Sequence, residues 1–485
     1  MRVPLVGGAY QSRSLNMNAQ RCVNLFPEVD KTSRHVIGLY GTPGKVLRLT
    51  LPTSPVRALF TGETYLYAIG GNTAYYIDTN WSATSMGTLN TSTGVVSIDQ
   101  NLTQLVLVDG TNGYTSTLPT GAVTQIADAD FTQTPSRVTV FDGYAIVDNV
   151  GTEKFYISAI NDATSWDALD FASESGKPDD ILSLIADHRE LILLGAQTSG
   201  IWENSGNSDF PISRKTFLEQ GCAAKHAVCK ADGGVFFIGS SDRGDSIVYR
   251  LVGYNLERIS THAIENAISG YSTISDATAW AHEEEGHTFI VFTFPTGNAT
   301  WVYDIAASAA AGQPMWHERA YMNQSTSALG RDLASCHAFF NRFHVVGDYN
   351  SGKIYTLDLD TYTDNAEYIK RLRSFGTSVD NRVYEVSMTD PVKCVLLGGD
   401  LKTTKGVDRN FHHRLQVLME TGVGLVSGQG SDPQVTLRYS NDNGHTWSNE
   451  LWGSAGLYTG GGGNLGEYQK RVIFRRLGTV KAEFE

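Results

Sequence analysis

Short apolar runs dominate the hydrophobic pattern of this chain. Four to seven residues rich in Val, Ile, Tyr, Phe, Thr and Leu are closed repeatedly by Gly, Asn or Asp, which is how strands joined by tight turns read. Helical spacing, with apolar positions at i, i+3, i+4 and i+7, is hinted at only from Ser260 to Ile268. The fold is expected to be all-β.

The strands recur in similar groups. Val56 to Phe60, Tyr65 to Ile69 and Ala74 to Ile77 form one meander; Ile181 to Ile185, Leu191 to Leu194 and Gly200 to Trp202 form another. Seven such groups start near residues 56, 95, 136, 181, 228, 275 and 334, at spacings of 39 to 59 residues. A four-stranded propeller blade takes about 40 to 50 residues. The pattern therefore predicts a β-propeller of six to eight blades, seven favoured, with a chain of sandwiches as the competing all-β reading. Near residue 361 the rhythm breaks. Arg382 to Leu397 alternates as one long strand, Phe411 to Met419 as another, and a glycine-rich run from Gly422 to Gly430 follows. The expected division is an irregular N-terminal arm over 1–50, the propeller over 51–360 and a separate sandwich-like β domain over 361–485.

Charge narrows the function. Against 38 Lys and Arg stand 51 Asp and Glu, a net charge of −13 over 485 residues, which argues against a protein that holds nucleic acid by neutralising phosphates. Glycine is abundant at 49 and proline scarce at 13, in keeping with many tight turns. No apolar run approaches the ~20 residues of a membrane span, and MRVPLVGGAY has no signal-peptide core, so a soluble, unsecreted protein is expected. Cys22, Cys222, Cys229, Cys336 and Cys394 are scattered and read as buried thiols made in a reducing cytosol, without disulfides.

The motifs favour structure over chemistry. Ser440, Asp442, Gly444, Thr446 and Trp447 match the Asp-box pattern SxDxGxTW, in which the carboxylate braces a hairpin turn; sialidases carry several copies and here there is one. His282 and His287 flank three glutamates, but lie at i and i+5 rather than the i and i+4 of a helical zinc pair, so a hairpin turn is expected. Cys222, His226 and Cys229 lack a fourth ligand. Gly41 to Lys45 (GTPGK) resembles a phosphate loop, yet Val46 replaces the hydroxyl residue and Pro43 removes a backbone donor. No catalytic set, metal site or cofactor motif is credited.

Asn18 to Glu28 (NAQRCVNLFPE), Leu39 to Gly44 (LYGTPG), Met419 to Gly424, Leu437 to Trp447 and Arg471 to Gly478 together resemble the packaged-DNA stabilisation family of tailed bacteriophages. The resemblance implies a virion tail component, the nozzle of a short-tailed phage, assembled in the host cytoplasm. Its partners would be other copies in a hexameric ring, the portal–tail adaptor ring, and tail fibre, tailspike or needle proteins. Double-stranded DNA would pass through the lumen without tight binding. Lys370, Arg371 and Arg373, with Lys470, Arg471, Arg475 and Arg476, gather positive charge and are the expected assembly contacts. The alternative is a carbohydrate-binding or glycosidase-like propeller, suggested by the Asp box and by 8 Trp and 22 Tyr able to stack on sugars; a propeller acting as an interaction scaffold is a third reading.

Overall fold

The computed structural model describes residues 2–3, 10–13, 20–29, 36–174, 179–241, 244–376, 380–388, 394–396, 399–405, 409–424, 427, 430–458 and 466–481. Each expected meander is an antiparallel sheet. Blade one runs Val56–Thr61, Leu66–Gly70, Thr73–Ile77 and Ala83–Thr88. Blades two to six repeat the order, with innermost strands Ser97–Gln100, Val138–Phe141, Ile181–Asp187, Val228–Ala231 and Thr278–Glu284. Blade seven begins at Ala334–Phe340, which touches the innermost strands of both blade six and blade one, so the seven blades close into a ring.

Neighbouring blades bury the apolar residues that defined the pattern. Val106 and Val108 of blade two pack on Val138, Ala145 and Val147 of blade three, and Ile146 and Phe155 of blade three pack on Leu191 and Leu193 of blade four. Each fully buried side chain of this kind contributes about 1.5–3 kcal/mol. A repeated acid device tightens the turns. Asp109 accepts the Thr111 and Asn112 amides at 3.0 and 2.8 Å and the Tyr114 hydroxyl at 3.0 Å; in blade seven Asp348 accepts the Asn350 amide at 2.8 Å and the Tyr355 hydroxyl at 3.1 Å.

Two expectations are corrected. The end of the expected arm, Gly44–Thr50, is a regular strand that pairs antiparallel with Lys353–Asp358 and forms the fourth strand of blade seven. Blade seven has only three strands from its own stretch of chain, and an open edge invites a partner. The segment Arg382 to Leu397 is not one strand: Val383–Met388 lies in the C-terminal sandwich, whereas Cys394–Leu396 pairs with Ile37–Gly41 in another sheet. Helix α1 (His262–Ser269), capped by Thr261, falls where the sequence hinted at one. Helix α2 (Ile305–Ala311) was not anticipated. Its run IAASAAA has no apolar stripe, and Asp304 and Gly312 at its ends supply the start and stop.

The C-terminal sandwich packs two sheets. One holds Arg371–Gly376, Val383–Met388, Gln434–Ser440 and Leu451–Ser454; the other holds Gly399–Lys405, Arg409–Val417, Val472–Arg475 and Thr479–Lys481. Phe375, Tyr384, Leu415, Leu437 and Phe474 fill the space between. Arg21–Val23 is the seam between the two parts. It runs parallel to Met315–Glu318 of blade six and antiparallel to Arg371–Gly376, giving one continuous nine-stranded sheet.

Candidate assembly interface

The N-terminal segment CVNLFPE is a structural latch. Glu318 accepts hydrogen bonds from the Tyr10 hydroxyl and from Arg21 through Nε at 3.0 Å and Nη2 at 2.7 Å. Asn24 donates to the carbonyls of Ala320 at 2.7 Å and Lys370 at 2.9 Å, and accepts the Ala320 amide at 2.8 Å. Farther along, Glu28 meets His287 of blade six at 2.6 Å, and the other nitrogen of the same ring meets buried Asp304 at 2.8 Å. Burial alone would lower the imidazole; the bonds and charges of Asp304 and Glu28 outweigh it and raise it to about 9.

The GTPGK segment also serves packing. Lys45 is buried between Asp332 at 3.0 Å and Asp364 at 3.1 Å, and these carboxylates outweigh its desolvation and keep it charged. A methyl group on Gly44 would stand 2.3 Å from the Thr361 carbonyl oxygen, and one on Gly41 would stand 2.4 Å from Nε of Arg371. Glycine is required at Gly44, where the neighbour is backbone, whereas at Gly41 the Arg371 side chain would have to shift.

The expected basic contacts divide into two kinds. Arg371 and Arg373 are buried, at 1% and 4% exposure, which corrects their reading as surface contacts. Arg371 lies over the Tyr362 ring, and Arg373 binds the Arg21 carbonyl at 3.2 Å and the Gln20 side chain. Their strand sits mid-sheet at the joint of propeller and sandwich, so both faces are covered. Lys370 is half-buried beside them. Lys470, Arg471, Arg475 and Arg476 are exposed on the sandwich. Lys470 pairs with Glu467 at 2.8 Å; the side chains of Arg471, Arg475 and Arg476 make no ion pair among the described residues.

The Asp box lies in the hairpin between Gln434–Ser440 and Leu451–Ser454, in the sandwich rather than the propeller. Asp442 accepts the Thr446 amide at 2.8 Å, the Thr446 hydroxyl at 2.6 Å and the Ser440 hydroxyl at 2.6 Å. These three bonds hold its carboxyl well below the usual range. Ser440 in turn accepts the Gly444 amide at 2.8 Å, and Trp447 lies under the Arg438 guanidinium, 5.3 Å away. The motif's polar atoms are thus spent on the turn.

His282 and His287 flank the tight turn Glu285–Gly286 of the blade-six hairpin. Both rings are buried, so only the turn itself is solvated. Among the described residues, no group of three or more His, Cys, Asp or Glu gathers as a metal set. Cys22, Cys222, Cys229 and Cys336 are free thiols. Burial pushes Cys22 up to about 11 and the other three up to about 12. Cys394 is placed by its backbone alone.

The innermost strands of all seven blades line an axial cavity of about 370 Å³, with Arg57, Asp99, Arg137, Ile185, Lys230 and His337 on its wall.

A family model described as bacteriophage P22 Gp10, beta-propeller, matches residues 1–362, and a second, bacteriophage P22 Gp10, beta-sandwich, matches residues 405–484. The chain belongs to the phage P22 Gp10 family. It is therefore a structural phage protein of the packaged-DNA stabilisation kind, with the propeller and sandwich of that family. A search of curated proteins returns no match. Among solved structures, the N-terminal domain of Nup159 is 10% identical over 69% of this chain and 98% of its own, at a TM-score of 0.43. BamB from Moraxella catarrhalis is 10% identical over 69% of this chain and 94% of its own, at 0.40. The WD40 β-propeller domain of Doa1 is 10% identical over 65% of this chain and 96% of its own, at 0.39.

Proposed function

We propose that this member of the Gp10 family is the nozzle of a short-tailed phage, a ring of six copies beneath the portal and adaptor rings that retains packaged DNA and later forms its exit. The observation that carries this reading is the family match over both parts of the chain. A ring of copies around a common axis encloses such a conduit, and rings of this kind are built from heterologous contacts. A net charge of −13 per copy repels the duplex and lets it slide, where phosphate contacts would slow ejection.

In this reading the protein acts in the virion tail, after assembly in the host cytoplasm, by position and not by turnover. It requires no cofactor. Lys370, Lys470, Arg471, Arg475 and Arg476 contribute to contacts with neighbouring copies or the adaptor ring, and fibre, tailspike or needle proteins attach at the outer end. The test is genetic and direct. Particles made without this chain are expected to fill with DNA and then lose it, and purified chain added before loss is expected to restore retention. Particles that hold their DNA equally well without the chain contradict the reading.

A further inference from the structure

The second sandwich sheet is rich in basic residues. Segments 399–405, 409–417 and 471–481 hold eight Lys and Arg against one Asp. They carry +7 in a chain of −13, which leaves −20 on the remainder. The register sharpens this. Lys402 stands opposite Arg414, and Arg414 opposite Arg475, so three cations lie abreast across three strands on one face. Arg414 has a partner of its own, and the inner face supplies the core through Leu415, Val417 and Phe474. Lys402 and Arg475 are exposed, and Phe411, opposite Thr404 and Thr479 in the same sheet, is 42% exposed.

A complementary surface exists on the same chain. Residues 126–174, which contain blade three, hold nine Asp and Glu against two Lys and Arg, a balance of −7, of which Asp148 and Glu174 are buried. Among the described residues the outer strand of that blade, Asp162–Ser173, pairs with one strand, Lys154–Ala159, while its Ala163 and Trp166 amides are taken by the Gln104 and Asp128 side chains. Along it Asp167 is exposed, Asp170 is half-buried and Leu169 is 81% exposed. Burial and the neighbouring charge of Asp167 raise the Asp170 carboxyl, a repulsion that a facing cation relieves. Blade three lies across the seven-bladed ring from blade six, where the sandwich joins. The two surfaces are separate patches of one chain, as head-to-tail contacts in a ring require.

We infer that the basic sandwich sheet of one copy docks on the acidic outer edge of blade three of the next, with Phe411 and Leu169 as apolar anchors within the charged contact. The inference rests on the ring reading above and names the surfaces that build the ring. Complementary charge of this kind sets register and speeds encounter, and weakens with salt.

The test is sedimentation velocity on the full chain at tens of micromolar protein and about 50 mM salt, where screening is weak. Wild type is expected to self-associate, and Lys402→Glu/Arg475→Glu and Asp167→Lys/Asp170→Lys are each expected to weaken association by roughly tenfold or more. Mixing the two variants is expected to restore assembly as alternating copies, because every contact between unlike variants joins opposite charges, and combining all four changes in one chain is expected to restore assembly as well. Neutral Lys402→Gln/Arg475→Gln serves as a second variant with the same expected loss. A chain that stays monomeric, a reversal on blade three that does not rescue the reversal on the sandwich, or a basic row whose loss abolishes DNA binding and leaves association intact overturns the inference. Retention of DNA in virions is read separately, so failure of the docking contact and failure of the nozzle reading give different results.

Discussion

Glu28 and His287 are 259 positions apart in the chain and 2.6 Å apart in the fold. Through this contact and the Asp304 bond behind it, the N-terminal segment is held to blade six by a charged imidazole. The raised value, about 9 against an ordinary 6.5, fixes the direction of a pH effect. A pKa raised by folding contributes stability that is fully present below the unfolded value and is lost as pH rises through the folded one. The midpoint of thermal unfolding of the wild type is expected to fall between pH 6.5 and 9 more steeply than that of His287→Gln. Parallel curves for the two proteins would remove the latch.

Lys45 offers a sharper test of the closing strand. Replacing it by Met leaves Asp332 and Asp364 buried without their cation, at a cost of about 3–5 kcal/mol. Denaturant unfolding of Lys45→Met is expected to show this loss, and Lys45→Met with Asp332→Asn and Asp364→Asn is expected to recover much of it. A loss below about 1 kcal/mol would mean that the triad is solvated and the strand is held by its backbone pairing.

Glu318 receives both Tyr10 and Arg21 at the seam between blade six and the sandwich. Glu318→Ala is expected to loosen this joint, so that calorimetry resolves separate transitions for propeller and sandwich where the wild type shows stronger coupling. Limited proteolysis should then cut between the two parts earlier. An unchanged calorimetric profile would place the coupling elsewhere.

Asp442→Ala removes three hydrogen bonds from one exposed turn and is expected to destabilise the sandwich by about 1 kcal/mol, with the propeller unaffected. Glycosidase assays on wild type and variant are both expected to read background. Hydrolysis that vanishes in a folded Asp442→Ala protein would give the turn a catalytic role.

Much of the fold was legible because a blade is a local object. Alternation, turn residues and a recurring period lie within some 40 residues of one another, so Val56–Thr61 through Lys353–Asp358 could be read in order. Ring closure was not legible. Val46 finds its partner at Thr356, some three hundred residues away, and no local pattern encodes that pairing. Charge misled in the same way. Arg371 and Arg373 look like surface residues until the seam strand and the 37–45 segment cover them. Conversely, the basic row Lys402, Arg414 and Arg475 is scattered over more than 70 positions, and only the strand register brings it together. The GTPGK segment was visible as a motif, but its lysine answers two carboxylates distant in sequence instead of a phosphate.

Electron cryomicroscopy of the intact virion tail tests the central claim most directly. The account predicts a ring of six propellers below the adaptor, enclosing a duplex-wide lumen lined by acidic and neutral residues, with the basic sandwich sheets turned toward neighbouring copies. A ring of another copy number, or a lumen lined by Arg471, Arg475 and Arg476, would contradict it.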